Sequence, residues 1–147
     1  MVGLITFLLI RKGVDEMFEK HMILTRGFRN TVENGRITGF QLDVRITYYR
    51  GVPLSCVEGF DVTVDGEKFI ADRYSIGGRT YTLAEAEKAS EVRWFFGDPL
   101  RLLVSKPGGL KPGIHEVEVG QKLRISYHSD EANPSLHIAK KKMTLGE

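Results

Sequence analysis

The chain has 147 residues, a length suited to one domain, and its 41% hydrophobic and 27% charged residues are the balance of a folded chain rather than a disordered one. Its 21 Lys and Arg against 19 Asp and Glu leave a formal charge of +2, too small to point to a nucleic acid as partner. A single cysteine, Cys56, excludes an internal disulfide and with it a secreted disulfide scaffold.

Gly3-Leu4-Ile5-Thr6-Phe7-Leu8-Leu9-Ile10 is the most apolar run. It falls far short of the ~20 residues that span a bilayer. Its basic neighbours, Arg11 and Lys12, follow it, whereas a secretory signal carries them in front. Residues 1–16 therefore have three readings: an extra strand, an N-terminal extension, or an upstream artefact with the true start at Met17. A cytoplasmic protein is expected, with no membrane partner.

Period-two alternation dominates the rest. Phe40, Leu42, Val44, Ile46 and Tyr48 alternate with Gln41, Asp43, Arg45, Thr47 and Tyr49, which predicts one long strand with one buried face. Phe60, Val62 and Val64 predict a second strand. Asp65-Gly66 follows at once, and Asp-Gly is a hairpin signal because a type I′ turn needs positive φ at both central residues. Gly77-Gly78, inside Tyr74 to Tyr81, predicts a weaker hairpin. Thr82-Leu83-Ala84-Glu85 fits a capping box, so a short helix is expected from Leu83 to Ser90. Leu100, Leu102 and Val104 predict a strand with Leu103 exposed on its outer face. Pro107 to Gly113 is turn-rich. Val117 and Val119, then Leu123, Ile125 and Tyr127, read as two strands separated by Gly120-Gln121. Residues 129–147 form a polar C-terminal segment, with Lys140-Lys141-Lys142 on a solvated edge or a frayed terminus. The sum is an all-β fold: an antiparallel β-sandwich with one short helix over residues 17–128, a small barrel being the alternative.

Catalytic signatures are missing from this pattern. His21, His115, His128 and His137 have no metal-ligand spacing, so satisfied or exposed histidines are expected. Cys56 sits in the apolar stretch Leu54 to Val57 and reads as a buried, inert thiol. Ser55 and Ser75 lack the G-x-S-x-G setting of a hydrolase nucleophile. No catalytic residue, metal site or cofactor is expected in this chain.

Two segments hint at a partner instead. In Trp94-Phe95-Phe96, an extended backbone puts Trp94 and Phe96 on one face and Phe95 on the other. The segment is either a sheet corner buried on both sides or an interface anchor, since aromatic residues and Arg dominate binding hot spots. Tyr48-Tyr49-Arg50 ends the longest strand, with Tyr49 on the face of Asp43 and Arg45. That face either pairs Asp43 with Arg45 on a wet surface or docks another chain. Tyr48, Tyr49, Arg50, Trp94 and Phe95 are the candidate partner contacts.

Three segments can now be read together: Arg45-Ile46-Thr47-Tyr48-Tyr49-Arg50-Gly51-Val52-Pro53-Leu54-Ser55, Val57-Glu58-Gly59-Phe60-Asp61-Val62-Thr63-Val64-Asp65-Gly66, and Lys106-Pro107-Gly108-Gly109-Leu110-Lys111-Pro112-Gly113-Ile114-His115-Glu116-Val117. With Arg93-Trp94 and Arg124-Ile125-Ser126-Tyr127, they resemble the small beta subunit of bacterial C-glycoside deglycosidases from Met17 to Tyr127. These are packing and turn motifs rather than catalytic ones. The resemblance implies a β-sandwich that binds and stabilises an alpha subunit, itself similar to a sugar-isomerase barrel. That alpha subunit would hold a divalent metal, manganese, and cleave the carbon–carbon bond of 3-keto C-glycosides. The keto group would acidify the neighbouring C–H, a base would take that proton, and the metal would steady the enolate. The beta subunit would be non-catalytic, in a hetero-oligomer. Two alternatives stand beside it: a stand-alone carbohydrate-binding module using Tyr49, Trp94 and Phe95, and a small β-sandwich enzyme whose active residues cluster only in space.

Overall fold

The computed structural model describes residues 21–124 and 135–146. The expectations for residues 1–16, and those for Ile125, Tyr127 and His128, lie outside them.

The described chain is all-β. The first hairpin joins β1 (Ile23–Glu33) to β2 (Arg36–Val44) through Asn34-Gly35, whose φ values of 52° and 76° suit a type I′ turn. A small pair follows, β3 (Val52–Pro53) with β8 (Arg93–Trp94), and a 3₁₀ turn at Leu54–Cys56. Next comes β4 (Val57–Val64), which turns at Asp65-Gly66 (φ 49° and 85°) into β5 (Glu67–Ile70). β6 (Arg73–Ile76) turns at Gly77-Gly78 into β7 (Arg79–Thr82). Helix α1 (Leu83–Lys88), β9 (Leu100–Ser105), β10 (Ile114–Leu123) and β11 (Ser135–Thr144) complete the order. One antiparallel sheet runs β1-β2-β9-β6-β7 and the other β11-β10-β4-β5. Their inner faces share one core, with Phe40, Leu42, Tyr74, Leu100 and Leu102 on one side and Phe60, Val62, Val117, Val119 and Leu123 on the other. That is the expected antiparallel sandwich.

Helix α1 begins as its capping box requires: Glu85 N donates to Thr82 Oγ1 at 3.2 Å, and Thr82 N donates to Glu85 Oε1 at 3.0 Å. It stops at Lys88, two residues before Ser90, where Ala89 leaves helical geometry at ψ 67°.

Several sequence expectations are corrected. The long strand ends at Val44, because the ladder is replaced by other partners: Arg45 N donates to Met22 O, and Thr47 N to the Gln121 side chain. β2 is buried on both faces. β1 bulges between Leu24 and Arg29 and folds over the outer face, so that Gln41 Nε2 donates to Gly27 O at 3.1 Å. Asp43 pairs there with Arg101, at 2.9 and 3.2 Å, and not with Arg45. Leu103, in the middle strand of that sheet opposite Gln41, is buried rather than exposed. Gly120-Gln121 is no turn: β10 runs through it, with Gly120 paired to Ile138 and to Asp61. Ser135–Thr144, within the polar C-terminal segment, is an edge strand, which bears out the solvated-edge reading of Lys140-Lys141-Lys142 over the frayed terminus. Cys56 is half-buried rather than buried.

His115 is satisfied on both sides. Its Nδ1 lies 2.6 Å from Asp65 Oδ2 and its Nε2 2.6 Å from Lys111 O, two acceptors that only the doubly protonated ring can serve together. Burial favours the neutral ring. The Asp65 hydrogen bond, the Lys111 carbonyl and the Asp65 charge outweigh it and raise the pKa above the ordinary 6.5. Asp65 is held below its usual value, first by the Glu116 amide and then by His115. A raised folded pKa means that the folded state holds the proton more tightly, so this contribution is complete below about 6.5 and fades as pH rises through the raised value. Thermal melts across that range are expected to fall toward alkaline pH, and His115→Gln to flatten the dependence. An unchanged slope in the variant would assign the effect elsewhere.

Candidate docking surface

The chain between β2 and β3 is shaped by one buried side chain. Gln121 has no exposed surface. Its Oε1 accepts from Thr47 N and Thr47 Oγ1, both at 3.0 Å, while its Nε2 donates to Arg45 O at 3.0 Å. Every polar atom of the amide that points inward is thus used on backbone or hydroxyl of one short loop. Beyond that anchor, Gly51 N donates to Tyr48 O at 3.0 Å and closes a turn that turns Tyr49 and Arg50 outward. Gly51 stands at φ +70°, and a Cβ there would lie 2.5 Å from Trp94 O. Glycine is required on both grounds.

The second half of the surface comes from β8. Val52 pairs with Trp94, and Leu54 N donates to Val92 O at 2.7 Å. Trp94 is fully buried, packed at a tilt 6.0 Å from Phe60, and its Nε1 donates to Asp98 O at 2.8 Å. Asp98 N donates back to Phe95 O, which folds the Gly97-Asp98 turn against the tryptophan.

The five candidate residues therefore meet in one place, in different roles. Trp94 is the anchor beneath, and Tyr48 is half-buried against the core. Tyr49, 59% exposed, and Phe95, 54% exposed, face outward. Arg50 lies 5.5 Å from the Tyr49 ring centre and donates to its hydroxyl at 3.0 Å. Arg93 lies 5.9 Å from the Phe95 ring centre and donates to Arg50 O at 3.3 Å, so it ties the two halves together. Two further members escaped sequence reasoning as contacts, Arg93 and Phe96. An extended backbone would put Phe96 on the same face as Trp94, but β8 ends at Trp94 and alternation ends with it. Phe96 is 52% exposed. The run of three aromatics was the available signal, misread by extending the strand through it.

Among the described residues, no group of three or more His, Cys, Asp or Glu side chains could hold a metal ion. None of their helices is long and apolar enough to cross a membrane. A surface of exposed rings and guanidiniums over a buried tryptophan suits protein or ring recognition.

Comparison with known proteins gives the chain a family. The family described as C-glycoside deglycosidase beta subunit matches residues 18–127. The chain belongs to that family. A C-glycoside deglycosidase beta subunit of Eubacterium cellulosolvens is 40% identical over 112 residues, 74% of this chain and 76% of the relative. One from Microbacterium trichothecenolyticum is 31% identical over 132 residues, 86% and 90% of the two chains. The 3'-dehydrocarminate deglycosidase beta subunit of a Microbacterium species is 36% identical over 93 residues, 61% and 69% of the two. The match to the C-glycoside deglycosidase beta subunit family spans the Gln121 anchor, the Tyr48-Tyr49-Arg50 turn and the Trp94 segment.

Two substitutions test this architecture. Gln121→Leu leaves the Thr47 amide and the Arg45 carbonyl without their partner, and is expected to lower stability by about 1–3 kcal/mol in chemical denaturation. Gly51→Ala meets both a positive φ and the Trp94 carbonyl, and is expected to cost roughly 1–3 kcal/mol. Wild-type midpoints for both would refute the described loop geometry.

Proposed function

We propose that this chain is the non-catalytic beta subunit of a C-glycoside deglycosidase, bound to an alpha subunit that cleaves the carbon–carbon bond of 3-keto C-glycosides. The alpha subunit is a sugar-isomerase-like barrel in this reading, and a divalent metal, manganese, is held there rather than here. The chain works in the cytoplasm as part of a hetero-oligomer. The Microbacterium relative named for 3'-dehydrocarminate supports a substrate oxidised at a sugar 3-position.

The observation that carries the reading is the patch of Tyr49, Phe95 and Phe96, three large rings each slightly more than half exposed beside the buried Trp94. Apolar surface held out so firmly, by a buried glutamine beneath one half and a buried tryptophan beneath the other, is suited to burial against a second chain. The histidine best placed for acid–base chemistry by burial, His115, is engaged by Asp65 and Lys111 in a structural role. This chain's contribution is to bind and to steady its partner; proton transfer and bond cleavage belong to the partner's residues.

The purified chain is expected to give no turnover of a 3-keto C-glycoside, and activity is expected on co-expression with the neighbouring reading frame. Tyr49→Ala and Phe95→Ala should each weaken co-purification by about 10-fold, the scale of a hot-spot truncation, with thermal midpoints near wild type. Substantial turnover by the isolated chain would end this proposal. A second reading, a stand-alone carbohydrate-binding module, uses the same exposed rings as a sugar platform. Calorimetric titration of the isolated chain with glycosides separates the two: a subunit binds sugar weakly without its partner, a module binds it alone.

A further inference from the structure

His115 ties a turn to a loop, and the two contacts together need both of its ring protons. The loop from Pro107 to Gly113 is pinned on its near side by neutral groups. Gly108 N donates to Ile37 O at 3.1 Å, Leu110 N donates to Asn30 Oδ1 at 2.8 Å, and Asn30 Nδ2 donates to Leu110 O at 2.9 Å. On its far side Gly113 O accepts from Leu145 N at 2.9 Å. Between these pins, Lys111 O meets His115 Nε2 at 2.6 Å. Lys111 and Pro112 are exposed, and Pro112 has no N–H with which to make another bond. The other ring nitrogen, Nδ1, faces Asp65 Oδ2 at 2.6 Å. Asp65 is fixed independently of the ring: its Oδ1 accepts from Glu116 N at 2.8 Å, and its own N donates to Glu116 O at 2.9 Å. Phe28 of β1 meets the ring edge-on, with centres 6.1 Å apart, and Met143 of β11 is its register partner. Asp65, from the β4–β5 turn, is the charge that acts on it.

A neutral ring keeps one proton, and the carboxylate, as the charged acceptor, keeps it on Nδ1. Nε2 then turns a lone pair toward the Lys111 carbonyl, and two acceptors at bonding distance repel. We propose that His115 is a pH-sensitive latch on this loop: with both nitrogens protonated it clasps the Lys111 carbonyl, and on losing the Nε2 proton it lets Lys111-Pro112 swing away while Asp65 and the Leu110 end stay in place. Burial disfavours the charged ring. The Asp65 hydrogen bond, the Lys111 carbonyl and the Asp65 charge outweigh that and hold the proton past the ordinary 6.5. The latch is therefore shut below about 6.5 and opens as pH climbs through the raised value. The opening is local, because the pins at Asn30 and Leu145 are neutral and do not titrate with the ring. None of these residues belongs to the candidate docking surface, so the inference stands apart from the subunit reading.

The test is a nitroxide spin label on the full-length chain, attached through Lys111→Cys after Cys56→Ser has removed the one native thiol. The Lys111 side chain is exposed and its carbonyl is untouched by the change, so the label reports the motion of the arm. Spectra are taken across the titration of the His115 ring, which is followed by NMR in the same samples. The ratio of mobile to ordered label is expected to rise about 10- to 100-fold as pH increases, the scale of losing one hydrogen bond from a charged donor. Its midpoint should coincide with that of the ring. Asp65→Asn keeps an acceptor for the Glu116 amide and tolerates the φ of 49°, but removes the charge, and should move both midpoints together to lower pH. His115→Gln should abolish the transition. A label whose spectrum stays constant while the ring titrates overturns the latch, and so does a transition that persists in His115→Gln or a label midpoint that stays put when Asp65→Asn moves the ring's. The comparison of label and ring midpoints decides the matter even if His115→Gln fails to fold.

Discussion

Gln121 joins two parts of the chain that the sheets alone leave separate. It lies on the inner side of a central strand, where a leucine or valine would satisfy the core. An amide there is tolerable only because its oxygen takes two donors from Thr47 and its nitrogen serves the Arg45 carbonyl. This arrangement lets the backbone leave the β2 ladder at Val44 without stranding polar groups in the core. Everything that makes the surface depends on that departure. The Tyr48 turn, Gly51 against the Trp94 carbonyl, and the small β3–β8 pair all follow from a strand that stops early. Preorganisation is the result, since the rings of the patch are set in position before any partner arrives.

The elements that rest on local chemistry were legible in the sequence. Asp65-Gly66, Gly77-Gly78 and the Thr82–Glu85 capping box each encode their own geometry within a few residues, and each appears where expected. The alternation of Phe60, Val62 and Val64 likewise reports one wet and one buried face. What escaped depended on distant partners. β1 was invisible to periodicity because its bulges break alternation, although Asn34-Gly35 marked its turn. Gln41, Asp43 and Leu103 were assigned to solvent by a rule that knows only one sheet face, and the folded-over β1 supplies a second cover. Gly120 looked like punctuation and is instead a bare point in a continuous strand.

The candidate surface was legible by residue type and not by role. Aromatic and arginine side chains in two remote segments suggested contact residues, and Val52 beside Trp94 brings the segments together. Spacing could not say which ring goes inside. Trp94 is buried because its indole nitrogen finds the Asp98 carbonyl within its own turn, so the largest aromatic gives up contact to become support. Phe96 gains its exposure from the same turn, while Arg93 is exposed on the outer side of β8.

The lysine-rich edge strand has a bearing on life before assembly. An accessory subunit can outlive or outnumber its companion, and a bare sheet margin is where such orphans stick to one another. Along β11, Lys140 and Lys142 project into water while Lys141 reaches across to cap the Ile23 carbonyl. A neighbouring molecule adding a strand there would have to bring three ammonium groups together and strip one of them from its acceptor. The lysines thus guard the C-terminal half of that margin with charge, where the preceding half carries the exposed Leu136 and Ile138.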